Sequence, residues 1–316
     1  MNGSSPMLVL PGLAMLVVGA EALVRGSVRI AAAARVPPLV IGLTVVAFGT
    51  SAPELVVSVR AGYEGLGGIA LGNVLGSNIF NVLVVLGLSA LIRPLAVRER
   101  LVRFDVPVMI GVSCLFFLIG AGGSVGRGEG LLLIALFILY TTLLIGKGRS
   151  EPAKGTGRPG GPGRLLVAGT GVVAGLALLV LGSRWLVDGA TAAAYSLGVS
   201  DRVVGLTIVA AGTSLPELAT SLVAAVRGER DIAVGNVVGS NVFNLLGVLG
   251  LAAALPPAGI AVERSMLLVD GPVMLVAALA CLPVFFTGRT IARWEGGLFL
   301  AGFAAYGWVL YGMPPP

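Results

Sequence analysis

The chain has 316 residues, 56% of them hydrophobic and only 11% charged, with a mean hydropathy of +1.00. A soluble protein carries about a quarter charged residues, so this composition excludes a sizeable soluble domain, and the net charge of +6 reads as loop arginines that set membrane topology rather than a nucleic-acid surface. Histidine is absent, which removes histidine proton relays and histidine metal sites.

The N-terminal MNGSSPMLVLPG lacks a positively charged leader and reads as a short tail before a first span. Apolar runs long enough to cross a bilayer then recur along the whole chain. They predict ten helices at 7–33, 38–61, 68–92, 104–122, 128–147, 165–190, 202–226, 231–255, 266–286 and 293–311. The two cysteines, Cys114 and Cys281, fall in apolar spans without disulfide or zinc spacing and are expected as small buried residues. Residues 146–164, GKGRSEPAKGTGRPGGPGR, offer nothing apolar to bury and predict a flexible linker. The predicted organisation is a first five-helix unit at 1–147, a cytoplasmic linker at 148–164 and a second five-helix unit at 165–316.

The two units repeat one another. GLTVVAFGTSAPEL at 42–55 returns as GLTIVAAGTSLPEL at 205–218, and GNVLGSNIFN at 72–81 returns as GNVVGSNVFN at 235–244. The offset is 163 without a gap, and it also relates GLAMLVVG at 12–19 to GLALLVLG at 175–182. Asp105 and Asp270, then Glu129 with Tyr140 and Glu295 with Tyr306, extend the likeness at offsets of 165 and 166. Five helices is an odd number, so the second copy must enter the membrane from the opposite side. The expected fold is therefore all-α integral membrane, with ten transmembrane helices as two inverted five-helix repeats and an ion-binding core of the second, third, seventh and eighth helices. With the N-terminus outside, only Arg60, Arg127, Arg184, Arg202 and Arg264 of the 21 lysines and arginines lie on the outer side. Both termini are thus expected outside the plasma membrane.

Each copy places a proline and a glutamate inside an apolar run. Proline cannot donate to the residue four back, so Pro53 leaves the carbonyl of Gly49 without its helical partner, and Pro216 does the same for Gly212. In lipid the exposed carbonyls and hydroxyls must be satisfied, and a bound cation can do it. Carboxylate, carbonyl and hydroxyl oxygens are hard ligands suited to Ca²⁺ and Na⁺. Glu54 and Glu217 are the candidate central ligands, because an intramembrane carboxylate is functional by default. Asn73, Ser77 and Asn81 are spaced by four and share one helix face, as do Asn236, Ser240 and Asn244. Asn73 and Asn236 are secondary candidates, while Asn78 and Asn241, off that face, are expected to link helices. Thr44, Thr207, Ser58 and Ser221 are expected to bond back to their own helices. Arg25, Asp188, Asp105, Asp270, Glu129 and Glu295 are expected to anchor span ends or pair locally. Glu21 and Arg184 sit deeper at equivalent positions and either snorkel or line an access path.

At these residues the chain resembles the sodium/calcium exchanger family, whose two repeats carry G-T-S-x-P-E and G-N-x-x-G-S-N-x-F-N. It is most similar to compact prokaryotic members. The resemblance implies that Glu54 and Glu217 hold a central Ca²⁺ with the carbonyls of Thr50 and Thr213. It implies flanking Na⁺ sites at Ser51, Ser214, Ser77 and Ser240 with the carbonyls of Ala47 and Ala210, and Asn81 and Asn244 completing the centre. The first and sixth spans, with Gly12, Gly19, Gly175 and Gly182, would slide across this core. Some family members carry aspartate where this chain has Asn244. The expected function is Na⁺/Ca²⁺ antiport that extrudes Ca²⁺, with Ca²⁺/H⁺ antiport as the alternative and a cation channel as a distant one. No nucleophile–base pair or cofactor motif suggests an enzyme or a cofactor. The expected partners are Ca²⁺ and Na⁺ as substrates and the lipid bilayer, with no nucleic acid and no protein partner implied.

Overall fold

The computed structural model describes residues 5–150, 162–197 and 210–312. Their helices are α1 (Val9–Ala34), α2 (Pro38–Thr50), α3 (Ala52–Tyr63), α4 (Gly67–Ile92), α5 (Leu101–Gly120), α6 (Arg127–Ser150), α7 (Pro162–Ser196), the short α8 (Ala210–Gly212), α9 (Leu215–Arg227), α10 (Arg230–Ala254), α11 (Met266–Phe286) and α12 (Arg293–Gly312). Seven are long and apolar enough to cross a membrane, and the bent pair α2–α3 makes an eighth. Of the predicted linker, 148–150 continue α6 and 162–164 begin α7, while 151–161 lie outside the described residues. The start of the predicted seventh span, 202–209, including Thr207, also lies outside them.

The helix with Glu54 breaks where its proline requires. Pro53 has no N–H, Ser51 leaves helical geometry (φ −83°, ψ 11°), and α2 and α3 meet at 47°. Ser214, ahead of Pro216, has nearly the same backbone (φ −89°, ψ 6°). Two further irregularities carry no obvious sequence signal. α4 widens into a π-helical turn at Asn81–Leu86, and α10 does so at Asn244–Val248. Such turns recur at functional sites, and these two begin at candidate ligands; three others, at Gly42–Val46, Leu101–Asp105 and Met266–Asp270, do not.

α4 and α10 form the centre. They are 72% and 89% buried along their most apolar stretch, against 22–39% for the other five long helices. Their asparagines and serines are therefore surrounded by protein rather than lipid. The peripheral helices turn Leu118, Phe286 and Trp308 outward, as a lipid-facing surface requires. Cys281 is buried as expected, but Cys114 is exposed, because α5 is peripheral and Cys114 falls on its outer face.

α1 and α7 cross antiparallel with backbones in contact. A Cβ on Gly12 would lie 2.9 Å from the Gly182 carbonyl, on Gly19 2.8 Å from that of Gly175, and on Gly26 2.8 Å from that of Ala168. Only small residues permit this approach, and in lipid such packing holds helices together without a hydrophobic driving force. The outer helices seat by the same device, with Gly130 of α6 against the backbone of α10 and Gly296 of α12 against that of α4.

The charges near span ends mostly pair locally, as expected. Tyr140 donates to Asp105 at 3.1 Å and Tyr306 to Asp270 at 2.5 Å. Glu129 accepts from the Gly126 amide at 3.0 Å and Glu295 from the Ala292 amide at 2.7 Å. Two short antiparallel pairings tie the connecting loops: β1 (Leu95–Ala96) with β4 (Thr290–Ile291), and β2 (Ser124–Val125) with β3 (Ile260–Ala261).

The α1–α7 contact makes a direct prediction. A side chain at Gly175 would meet the Gly19 carbonyl and the Leu23 amide, both at 2.7 Å, and backbone cannot yield as a side-chain tip can. Gly175→Val is expected to cost about 1–3 kcal/mol and to lower the melting temperature in detergent. Gly171→Ala, on the same helix with its nearest neighbour at 3.8 Å, should leave melting nearly unchanged. Equal melting of the two variants would refute the close contact.

Candidate cation-binding site

Glu54 and Glu217 are both fully buried, and each is held by a serine from the other repeat. Ser214 Oγ donates to Glu54 Oε1 at 3.0 Å, and Ser51 Oγ donates to Glu217 Oε1 at 2.6 Å. Ser77 Oγ reaches Glu54 Oε1 at 3.3 Å and lies 3.0 Å from Ser214 Oγ. The proline breaks make these contacts available, since Ser51 and Ser214 sit at the two non-helical corners.

Asn73 and Asn236 support the carboxylates. Asn73 Nδ2 donates to the Glu54 carbonyl at 3.1 Å and to Ser58 Oγ at 2.9 Å, while its Oδ1 accepts from Thr213 at 3.2 Å. Asn236 repeats the pattern with the Glu217 carbonyl at 3.3 Å, Ser221 Oγ at 3.0 Å and Thr50 at 3.1 Å. Every polar atom of both amides is engaged, so they fix the glutamate-bearing turns against α4 and α10. Ser58 and Ser221 do not bond back to their own helices. They donate to the carbonyls of Ala70 and Ala233 on the neighbouring helix, because the facing asparagine orients each hydroxyl outward. Thr44 does bond back, to Val40 at 2.6 Å.

Asn78 and Asn241 link the two central helices through each other's carbonyls, both at 3.2 Å. Asn81 Nδ2 donates to Asn241 Oδ1, and Asn244 Nδ2 to Asn78 Oδ1, both at 3.1 Å. These bonds consume the donor ends of Asn81 and Asn244 and leave their oxygens over. The Ala47 carbonyl accepts from Thr50 Oγ1 and Ser240 Oγ, each at 3.4 Å. Ala210, its predicted counterpart, opens α8 at the edge of the described residues.

Among the candidate ligands, four oxygens remain buried without a hydrogen-bond partner in the described residues: Glu54 Oε2, Glu217 Oε2, Asn81 Oδ1 and Asn244 Oδ1. An unsatisfied buried acceptor costs about 1–3 kcal/mol, and more when charged. All four are hard oxygen donors, and their other atoms are already fixed by the bonds above. Oxygens of this kind are what Ca²⁺ or Na⁺ takes as ligands.

A cavity of about 330 Å³ adjoins this group. Its walls include Pro53, next to Glu54, and Thr213, next to Ser214, on one side and Ser183, Arg184 and Asp188 of α7 on the other. Arg184 thus faces a cavity rather than snorkelling away from it. Asp188, expected to pair locally, lines it too and makes no ion pair among the described residues. Glu21, the positional counterpart of Arg184, is instead bound by Arg25 and by Arg227 at 2.7 Å.

Comparison with known proteins agrees with this architecture. The profile of the sodium/calcium exchanger protein family matches residues 4–146 and 167–312. The chain belongs to the sodium/calcium exchanger family. It is 35% identical over 322 residues to the inner membrane protein YrbG of Escherichia coli (strain K12), covering 98% of this chain and 97% of that protein. It is 32% identical over 344 residues to the sodium/calcium exchanger MaX1 of Methanosarcina acetivorans, covering 96% and 98%. The solved structure of the sodium-calcium exchanger NCX_Mj superposes with a TM-score of 0.83 at 34% identity, covering 98% of both chains. Homologues and fold are those of transporters, and the exchanger family is one of antiporters.

A family exchanger with a real cation site is stabilised by its cation. Saturating Ca²⁺, at about 100 times its dissociation constant, should add about 2.7 kcal/mol and raise the melting temperature in detergent. Glu54→Gln and Glu217→Gln should each abolish that increment. A Ca²⁺ shift that survived in both variants would remove the glutamates from the site.

Proposed function

We propose that this exchanger moves Na⁺ and Ca²⁺ in opposite directions across the plasma membrane and extrudes Ca²⁺. The reading rests on the four buried, partnerless oxygens on Glu54, Glu217, Asn81 and Asn244. Two carboxylates neutralise one Ca²⁺ or two Na⁺. Either load removes the cost of buried charge, whereas the empty pair is expensive. The two ions therefore compete for one set of residues, and the loaded forms cross most readily. Ser51, Ser77, Ser214 and Ser240, with the carbonyls of Ala47, Thr50, Ala210 and Thr213, complete the cation sites on this reading. The names of MaX1 and NCX_Mj as sodium/calcium exchangers support the choice of ions.

The architecture on this reading is ten transmembrane helices in two inverted five-helix repeats, 1–147 and 165–316, joined by a cytoplasmic linker at 148–164, with both termini outside. The antiparallel crossing of α1 and α7, which are counterparts at the offset of 163, favours inversion. So does the reciprocal bracing of Glu54 and Glu217. The cation load carries a further consequence. A third Na⁺ would leave a two-carboxylate core net positive in low dielectric, so charge movement per cycle should depend on Asn244.

Ca²⁺ uptake into proteoliposomes loaded with Na⁺, K⁺ or neither, with and without a pH gradient, tests the assignment. Uptake is expected only from Na⁺-loaded vesicles, and it should fall to background in Glu54→Gln and Glu217→Gln. Uptake driven by a pH gradient without Na⁺ would make the same chain a Ca²⁺/H⁺ antiporter. Flux without any counter-ion gradient would make it a channel. Asn244→Asp should alter Na⁺ dependence or electrogenicity. Unchanged Hill slope, affinity and charge movement would dissociate that position from the coupling.

A further inference from the structure

The offset of 163 relates three charged residues on each repeat with every sign reversed. Glu21 corresponds to Arg184, Arg25 to Asp188, and Arg227 to Glu64. In the first set the ion pairs are made. Glu21 of α1 binds Arg25 one turn on and Arg227 at the end of α9, and α1 packs along α9. In the second set they are not. Arg184 and Asp188 of α7 line the 330 Å³ cavity and make no ion pair or hydrogen bond among the described residues. Glu64, at the end of α3, pairs at 2.8 Å with Arg60 on its own helix. That cavity opens between α3 and α7, the counterparts of α9 and α1.

We propose that Glu64, Arg184 and Asp188 form a second gate of the exchange cycle, an ion-pair cluster that closes the α3–α7 cavity when the Glu21–Arg25–Arg227 cluster opens. The inference rests on the inverted-repeat reading above. In an inverted repeat, the two halves exchange conformations when access switches. The packing of α1 on α9 is then the template for α7 on α3, and Arg184 bridges Glu64 and Asp188 as Glu21 bridges Arg227 and Arg25. The existing Arg60–Glu64 pair does not oppose the change. It is exposed, and exposed pairs contribute about 0–1 kcal/mol. Reversing the signs also gives each face its own pattern of charges around a long helix that sits against the core by its glycines.

The test uses the full chain in membranes with Cys114 and Cys281 replaced by serine. Glu64→Cys with Arg184→Cys is treated with a short bis-methanethiosulfonate reagent. Glu21→Cys with Arg227→Cys, a pair in contact here, is the control. Both pairs are expected to cross-link, and the Glu64–Arg184 cross-link should abolish Ca²⁺ exchange until a reductant cleaves it. Cross-linking of the control alone would overturn the proposal, as would a Glu64–Arg184 cross-link that leaves exchange running. A charge series gives an independent check. R184E should slow exchange severalfold, and the triple variant E64R/R184E/D188R, which reproduces the signs of the first cluster, should restore it. Wild-type exchange in R184E would also overturn the gate. Replacement of Na⁺ by H⁺ as coupling ion would alter the proposed function but not the cross-linking.

Discussion

Keeping a carboxylate away from water costs several kcal/mol even after the surrounding protein relaxes, and this chain does so twice, at Glu54 and Glu217. Most of the central architecture answers that cost. Two proline breaks free a serine at each corner, and each serine reaches across to the opposite glutamate. Two asparagines clamp the glutamate backbone, and two more link the central helices. After all this bracing one oxygen of each carboxylate still lacks a partner. A cation held there, as proposed above, would fill those valences.

Directional bonds and apolar contacts are divided between different parts of the fold. The core of α2, α3, α4, α9 and α10 is held by side-chain hydrogen bonds that cross between the repeats. The long helices α1 and α7 are held to each other by backbone approach at glycines. They meet the core mainly through apolar side chains, such as Leu176 against Gly49 and Val187 against Gly212. Smooth apolar contact resists sliding less than a network of directional bonds. The Glu21–Arg227 pair is an exception, a charged tie between α1 and α9.

That exception reveals an asymmetry in a chain whose sequence is nearly symmetric. The serine and asparagine bonds that brace the glutamates match from one repeat to the other, although Ser77 reaches Glu54 while its counterpart Ser240 reaches the Ala47 carbonyl. The contacts of α1 and α7 do not match. α1 packs along α9, while a cavity separates α7 from α3. Among the described residues, then, the bracing of the two glutamates is largely alike from both halves, while the packing of the long helices against α9 and α3 differs.

The repeat and its chemistry were legible in the sequence because both depend on covalent order. A proline removes a helical hydrogen bond wherever it lies, and amides spaced by four share a face. This placed Glu54, Glu217, Ser51, Ser214, Asn81 and Asn244 in one group before any fold was known. The division of labour among the amides needed the tertiary structure. Asn73 and Asn81 lie on the same face of α4, yet one is fully engaged and the other keeps a bare oxygen, because different helices stand opposite them. The same reason governs Ser58 and Ser221, whose partners lie across a helix interface, and Cys114, whose exposure depends on which face of α5 meets lipid. Arg184 and Glu21 occupy equivalent positions, and only the unequal packing of α7 and α1 separates a cavity wall from a closed ion pair. Sequence specifies which groups can interact, but it is silent on which of two alternative packings is occupied, since both are built from the same residues.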